Sequence, residues 1–308
     1  MGRRVAAAIA VAVSLWGRVP GAQPLPSTRD ASVDADAAVA PSEPATAMPE
    51  PTPAPTADEA DEAERPLTPE EERAAARLFP DEREPPDPIA DEAERTGPFE
   101  GPAPPDQAAL ATEIVALSDR ACFRALTRAG VRFERVRQPV AGVITPVVVT
   151  GPLRGVTVRN HSAPVIHELM DCRLAVALAR YAPMLRGLGV REIRHISLYR
   201  APTASQAARR PVQTRHPGGM AIDVGSFVME SGATLVVERD FHGRRRRPVC
   251  GPTARVPDQP QARTLRTLAC EAARRGYFHV VLTPNFNAEH RNHFHLEVAR
   301  NVSWLFVR

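Results

Sequence analysis

Apolar positions along the 308-residue chain fall into three regimes. Val5 to Trp16 is an unbroken apolar or small run apart from Ser14, behind the basic start Met1-Gly2-Arg3-Arg4 and ahead of the small residues Gly21 and Ala22. That is the pattern of a secretory signal peptide. At about 12 residues the run falls short of the ~20 needed to span a bilayer, so residues 1–22 are expected to be a cleaved export signal. Residues 23–108 are almost devoid of apolar periodicity. From residue 109 onward apolar positions recur at helical and strand periods, and a folded domain is expected over 109–308.

Within that domain Leu110, Ile114, Leu117, Ala121 and Phe123–Leu126 keep roughly helical spacing, and Gly130 ends the helix. Val131 and Phe133 alternate with Arg as in a strand. Val143–Thr150 and Gly155–Val158 read as strands broken by Pro and Gly. Ala163 to Leu188 reads as one long helix, with Pro183 kinking it or marking its last turns. Glu192–Tyr199, Ala221–Val224, Phe278–Leu282 and His293–Val298 read as strands, and Thr264–Gly276 as a helix. No regular βαβ repeat appears. The expected class is α+β, a small mixed or antiparallel sheet with flanking helices.

Charge sharpens the division. The net charge of +3 hides 22 acids and 6 Arg in residues 23–108, a net of −16, against 14 acids and 30 Arg in 109–308, a net of +16. Eighteen of the 32 prolines also lie in 23–108. Such a stretch cannot bury enough apolar surface to offset its ordering entropy, and a semi-extended spacer is expected. Glu70 to Leu78 is expected to form a transient helical turn or two. The opposite charges also permit the acidic segment to fold back on the basic domain. No long apolar run follows the N-terminus, so no transmembrane helix is expected in the mature chain.

The chemistry sits in two clusters. Three of the nine histidines fall in His290-Arg291-Asn292-His293-Phe294-His295. On a strand His293 and His295 share one face, Phe294 takes the other, and Glu297 continues the polar side. The second cluster is Thr214-Arg215-His216-Pro217-Gly218-Gly219-Met220-Ala221-Ile222-Asp223. Its glycines allow a tight turn between a loop histidine and a strand carboxylate. His216, Asp223 and His295 supply two imidazoles and a carboxylate, the donor set of a catalytic Zn2+ site with one position open. Taken singly, each cluster also has a plain structural reading as hydrogen-bonded side chains.

Four cysteines remain, Cys122, Cys172, Cys250 and Cys270, which allow three pairings. Proximity favours Cys122–Cys172 and Cys250–Cys270, and export makes disulfides persistent. The run Arg244–Arg247 suits an anionic polymer or a merely solvated loop. Aromatics are sparse, so no nucleic acid partner is expected.

The run His216-x6-Asp223 with a distal His293-x-His295 resembles the zinc signature of the LAS metallopeptidases, which include D-Ala-D-Ala carboxypeptidases, murein endopeptidases and the hedgehog amino-terminal domain. Leu282 through Glu297, Ala121–Leu126, Ser197–Arg200 and Gly219–Phe227 resemble, more closely still, the bacterial extensin-like C-terminal family, over about 115–299. This resemblance implies a hedgehog- or DD-peptidase-like fold. It implies zinc on His216, Asp223 and His295, a proton-handling or oxyanion-stabilising His293, a cleft-lining His290, and an Arg200 that holds a carboxylate or oxyanion. The chain departs from the family in having Asn292 where Asp is usual, which leaves His293 as the candidate base.

Two function classes follow as expectations. One is an exported zinc-dependent peptidase, periplasmic or extracellular, in which a zinc-activated water attacks an amide carbonyl of peptidoglycan. The other is a non-catalytic envelope-binding or structural module that retains the zinc site. The partner in either case is peptidoglycan or another anionic envelope polymer.

Overall fold

A computed structural model describes residues 65–80, 104–163, 166–203, 215–255 and 257–308. The expected signal over 1–22 and most of the expected linker lie outside these residues. The fold is α+β, with six helices and ten strands among the described residues.

The acidic region contributes a helix, α1 (Pro69–Leu78). Thr68 caps it in a reciprocal capping box with Glu71, and Pro69 occupies its first turn. Two short helices follow the linker, α2 (Ala109–Val115) and α3 (Asp119–Arg128). The single helix expected here is divided because Ser118 takes an N-cap conformation and its hydroxyl accepts from the Ala121 N–H.

Helix α1 packs against α3. Ala75, Leu78 and Phe79 are buried. Glu72 accepts from Arg124 and pairs with Arg128, while Arg180 and Arg128 donate to the Leu78 and Phe79 carbonyls. The expected transient turn is therefore a docked helix.

A three-stranded antiparallel sheet, in the order β1-β2-β4, is formed by β1 (Phe133–Arg135), β2 (Pro146–Val149) and β4 (Glu168–Asp171). The long helix expected over Ala163–Leu188 is corrected here. Its N-terminal part is strand β4, and the helix proper, α4, runs Cys172–Gly187. Asp171 is the reason. Its backbone is extended and its carboxylate accepts from the Arg173 N–H, so the helix begins only after it. Pro183 lies inside α4.

The main sheet has seven strands. Its path is β10-β8-β9-β6-β5-β3, with β7 also paired to β6. The strands are β3 (Thr157–Asn160), β5 (Val190–Ser197), β6 (Ala221–Met229), β7 (Thr234–Val236), β8 (Val280–Leu282), β9 (Phe294–Glu297) and β10 (Phe306–Val307). The β3–β5 and β8–β10 pairs are parallel and the others antiparallel, so the sheet is mixed. A one-turn helix α5 (Val237–Asp240) and the longer α6 (Pro260–Arg274) complete the element order.

The core lies between the helices and the main sheet. Tyr181 of α4 packs in tilted and edge-to-face contact with Tyr277 and Phe278 and donates its hydroxyl to the Leu268 carbonyl of α6. Phe294 of β9 packs against Phe227 of β6 and Phe241. Both expected disulfides form: Cys122–Cys172 ties α3 to the start of α4, and Cys250–Cys270 ties a loop to α6. No described helix is long and apolar enough to cross a membrane.

Candidate metal centre

Two adjacent central strands build the floor of the site. In the antiparallel β6–β9 ladder Asp223 is the register partner of His295, Ile222 of Leu296 and Val224 of Phe294. Ile222, Val224, Phe294 and Leu296 are fully buried in the core. Strand alternation therefore turns Asp223 and His295 together to the opposite face.

His216 arrives from the loop before β6. The loop closes through hydrogen bonds from the Gly219 N–H to the His216 carbonyl and from the Met220 N–H to the Arg215 carbonyl. Gly219 has φ +63°, and a Cβ there would stand 2.7 Å from the Asp171 backbone nitrogen. Both the conformation and the close approach require glycine.

Three imidazoles converge on one oxygen. His216 Nε2 lies 3.1 Å, His295 Nδ1 2.9 Å and His293 Nε2 3.4 Å from Asp223 Oδ1. The other nitrogen of each ring faces an acceptor. His216 Nδ1 lies 2.6 Å from the Leu198 carbonyl, His295 Nε2 3.2 Å from Glu297 Oε2, and His293 Nδ1 2.9 Å from Asn292 Oδ1. Neutral rings that donate to these acceptors present lone pairs to a carboxylate. Only a cation, or a second proton on a ring, makes such an arrangement favourable. His216 Nε2 is buried and lacks a hydrogen-bond partner with sound geometry. Among the described residues His216, Asp223 and His295 form the one group whose donor atoms lie close enough to share a metal ion, all within 4.8 Å of one another. Two imidazoles and a carboxylate suit zinc, and Glu297 behind His295 is the kind of outer partner that orients a ligating histidine.

The proton affinities reflect the crowding. Burial pushes the Asp223 carboxyl up, but the close His216 and His295 rings outweigh it and hold the group well below the usual carboxylate range. Burial pulls His293 down to about 4; the Asp223 charge opposes this, while the neighbouring His290, His295 and His216 reinforce it. Burial also lowers His290, helped by His295. For His295 burial acts downward too, yet its bonds to Asp223 and Glu297 win and raise it.

All six residues expected at the site come together. His290 sits with its ring 5.0 Å from that of His293 and 5.9 Å from that of His295. Asn287 Oδ1 lies 2.7 Å from His290 Nδ1 and accepts from its backbone N–H, which fixes the ring. Arg200, exposed three residues beyond β5, places Nη2 3.6 Å from Asp223 Oδ2, and its backbone N–H donates to the His216 carbonyl. The expected strand pairing of His293 with His295 needs one refinement. β9 begins at Phe294, so His293 is the last loop residue before it.

Three further groups complete the site, Glu297, Asn292 and the Leu198 carbonyl, and the sequence marks the first two without assigning either a role toward a histidine. Glu297 has a legible signal, since it stands two positions beyond His295 on the same strand face. Arg215 Nε lies 3.9 Å from the Glu297 carboxylate that engages His295. The Leu198 carbonyl has no side-chain signal.

No curated protein and no solved structure matches the chain. Residues 120–308, well over half of the sequence and every residue of this site, match the family described as the extensin-like protein C-terminus, and the chain belongs to that family.

Proposed function

We propose that this is an exported, zinc-dependent peptidase acting on peptide bonds of peptidoglycan, in the manner of the LAS metallopeptidases. The observation that carries the reading is the convergence of three imidazole nitrogens on the single oxygen Asp223 Oδ1, with the proton side of each ring facing an acceptor. His216, Asp223 and His295 would hold the ion. When bound, zinc supplies a Lewis acid and brings the pKa of water to about 7.

The chain's own groups divide the remaining work. His293 Nε2 faces the centre with Nδ1 engaged by Asn292, so it is oriented to take a proton from the attacking water and return it to the leaving amine. Arg200 is 61% exposed in its side chain and stands at the rim beside Asp223, free to grip a substrate carboxylate or the developing oxyanion. His290 lines the same wall. Two disulfides suit a periplasmic or extracellular setting.

A second reading rests on Asn292. An amide cannot accept a proton, and here it is spent on orienting His293. A non-catalytic envelope module that keeps its metal is the form this takes.

Digestion of purified peptidoglycan with zinc-loaded protein, beside the chelated protein and His216→Ala, tests the choice. Muropeptide products of defined mass only with loaded wild type support the peptidase. Saturable binding without products supports the module.

A further inference from the structure

We infer that the loop 242–250 is a preformed binding element for a polymer of closely spaced oxyanions, set on the wall of the metal centre. This deepens the envelope-polymer part of the proposed function and does not depend on cleavage.

Arg244, Arg245, Arg246 and Arg247 are all exposed. None of their guanidinium groups makes an ion pair or hydrogen bond with a described residue. The two acids just before the loop are paired elsewhere: Glu238 with Arg291, and Asp240 with Arg239. Beneath the loop Arg266 is 4% exposed and has no carboxylate partner among the described residues. It donates to the Arg255 and His242 carbonyls and stacks on Phe241, and its Nε is buried without an acceptor. Five positive charges thus lie on and beneath this loop with no counter-charge among the described residues, a field that suits an anionic partner.

The loop is built rather than loose. Asn285, 1% exposed, clamps it from three sides. Its Oδ1 accepts from the Arg244 N–H, its carbonyl from the Arg246 N–H, and its Nδ2 donates to the Arg247 carbonyl. His242 and Arg246 hold positive φ, at 48° and 62°. Gly243 is required, because a Cβ there would collide with Asn285 Oδ1 and the Phe241 ring. The far end is pinned by buried Val249 and the Cys250–Cys270 bond. Main-chain groups do the holding, so the guanidiniums stay free. The clamp residue also ties the loop to the centre: Phe286 follows Asn285, and its ring lies 5.2 Å from that of His290.

The loop's chemistry selects the partner. Guanidinium forks match carboxylate and phosphate oxygens two at a time. Residues 242–248 offer no large apolar side chain to enter a lipid layer and no Phe, Tyr or Trp to form a base-stacking platform, since Phe241 is buried. A hydrophilic polyanion remains.

The test uses the full chain with its disulfides formed. Labelled polyglutamate and polyphosphate, titrated at physiological salt, separate carboxylate from phosphate as the preferred group. Replacing Arg244, Arg245, Arg246 and Arg247 by Gln should weaken binding about tenfold or more, whereas replacing the exposed Arg132, Arg137, Arg186 and Arg191 by Gln should cost less than about threefold. Equal losses in the two variants would reduce the effect to net charge and overturn the proposal. So would absence of binding to either polymer by the wild type. Binding should survive chelation and His295→Ala; its loss there would move the site to the metal centre and also overturn it. Failed zinc binding with intact polymer binding would instead remove the peptidase reading alone.

Discussion

His295 Nδ1 lies 2.9 Å from Asp223 Oδ1, although the two residues are 72 positions apart in sequence. They are register partners in the β6–β9 ladder, so the sheet itself sets their separation. A one-residue slip would turn Asp223 into the core and Ile222 into the site. The remaining groups are then added from loops: His216 by the turn at Gly219, His293 by the residue before β9, and Arg200 by the segment that follows β5.

Arg200 should act on substrate and not on the metal. Arg200→Ala is expected to leave zinc stoichiometry unchanged and lower kcat/KM on a carboxylate-ended muropeptide by about a hundredfold, with Arg200→Lys recovering only part. Loss of zinc in Arg200→Ala would instead make its contact with Asp223 a structural one.

Helix α1 should contribute to the stability of the domain. Leu78 is 2% exposed and seated beside Phe79 against α3 and α4. Leu78→Ala should cost about 2–4 kcal/mol in urea unfolding of the full chain. An unchanged midpoint would mean that α1 is undocked in solution.

The two disulfides close loops of 50 and 20 residues. Chain-entropy arguments give about 4 and about 3 kcal/mol for such loops. The double replacement Cys122→Ser with Cys172→Ser should therefore lower stability more than Cys250→Ser with Cys270→Ser. The reverse order, measured by denaturation, would show that strain or residual structure governs.

The metal-free protein should lose stability on acidification. An unfolded histidine titrates near 6.5, and His293 in the fold is pulled down to about 4. The unfolded chain therefore takes the proton first. Stability is present above about 6.5 and is lost as the pH falls from there through about 4, by on the order of 2 kcal/mol. His290 and His279 act in the same direction. His295, raised in the fold, works oppositely: its contribution is present below about 6.5 and fades as the pH rises through its folded value. Urea midpoints of chelated protein at several pH values should fall toward acid, and His293→Gln should flatten that side. An equal acid loss in the variant would assign the effect to other groups.

The site was more legible than the scaffold around it. The alternation Ile222-Asp223-Val224 and Phe294-His295-Leu296 declares which side chains leave the core, and the glycine pair before β6 declares the turn. By contrast, Ala163–Leu188 carries apolar residues at helical spacing right through strand β4, and only Asp171, a capping residue, marks the boundary. Helix α1 hides for a different reason. Its surroundings read as an acidic, proline-rich spacer, and its few apolar residues matter only because α3 and α4 offer them a surface. Its signal was Thr68-Pro69-x-Glu71, a capping box with proline at the first turn. Asn292 and the Leu198 carbonyl act through ring tautomers, which only the folded geometry specifies.

The proposed function requires Asp223, His216 and His295 to share one metal ion. Zinc content of the full chain, purified and reconstituted beside His295→Ala and His216→Ala, tests it most directly. About one zinc per wild-type chain and far less in both variants is the predicted result, since each variant removes one of three ligands. No zinc in the reconstituted wild type, or equal zinc in all three proteins, would contradict it.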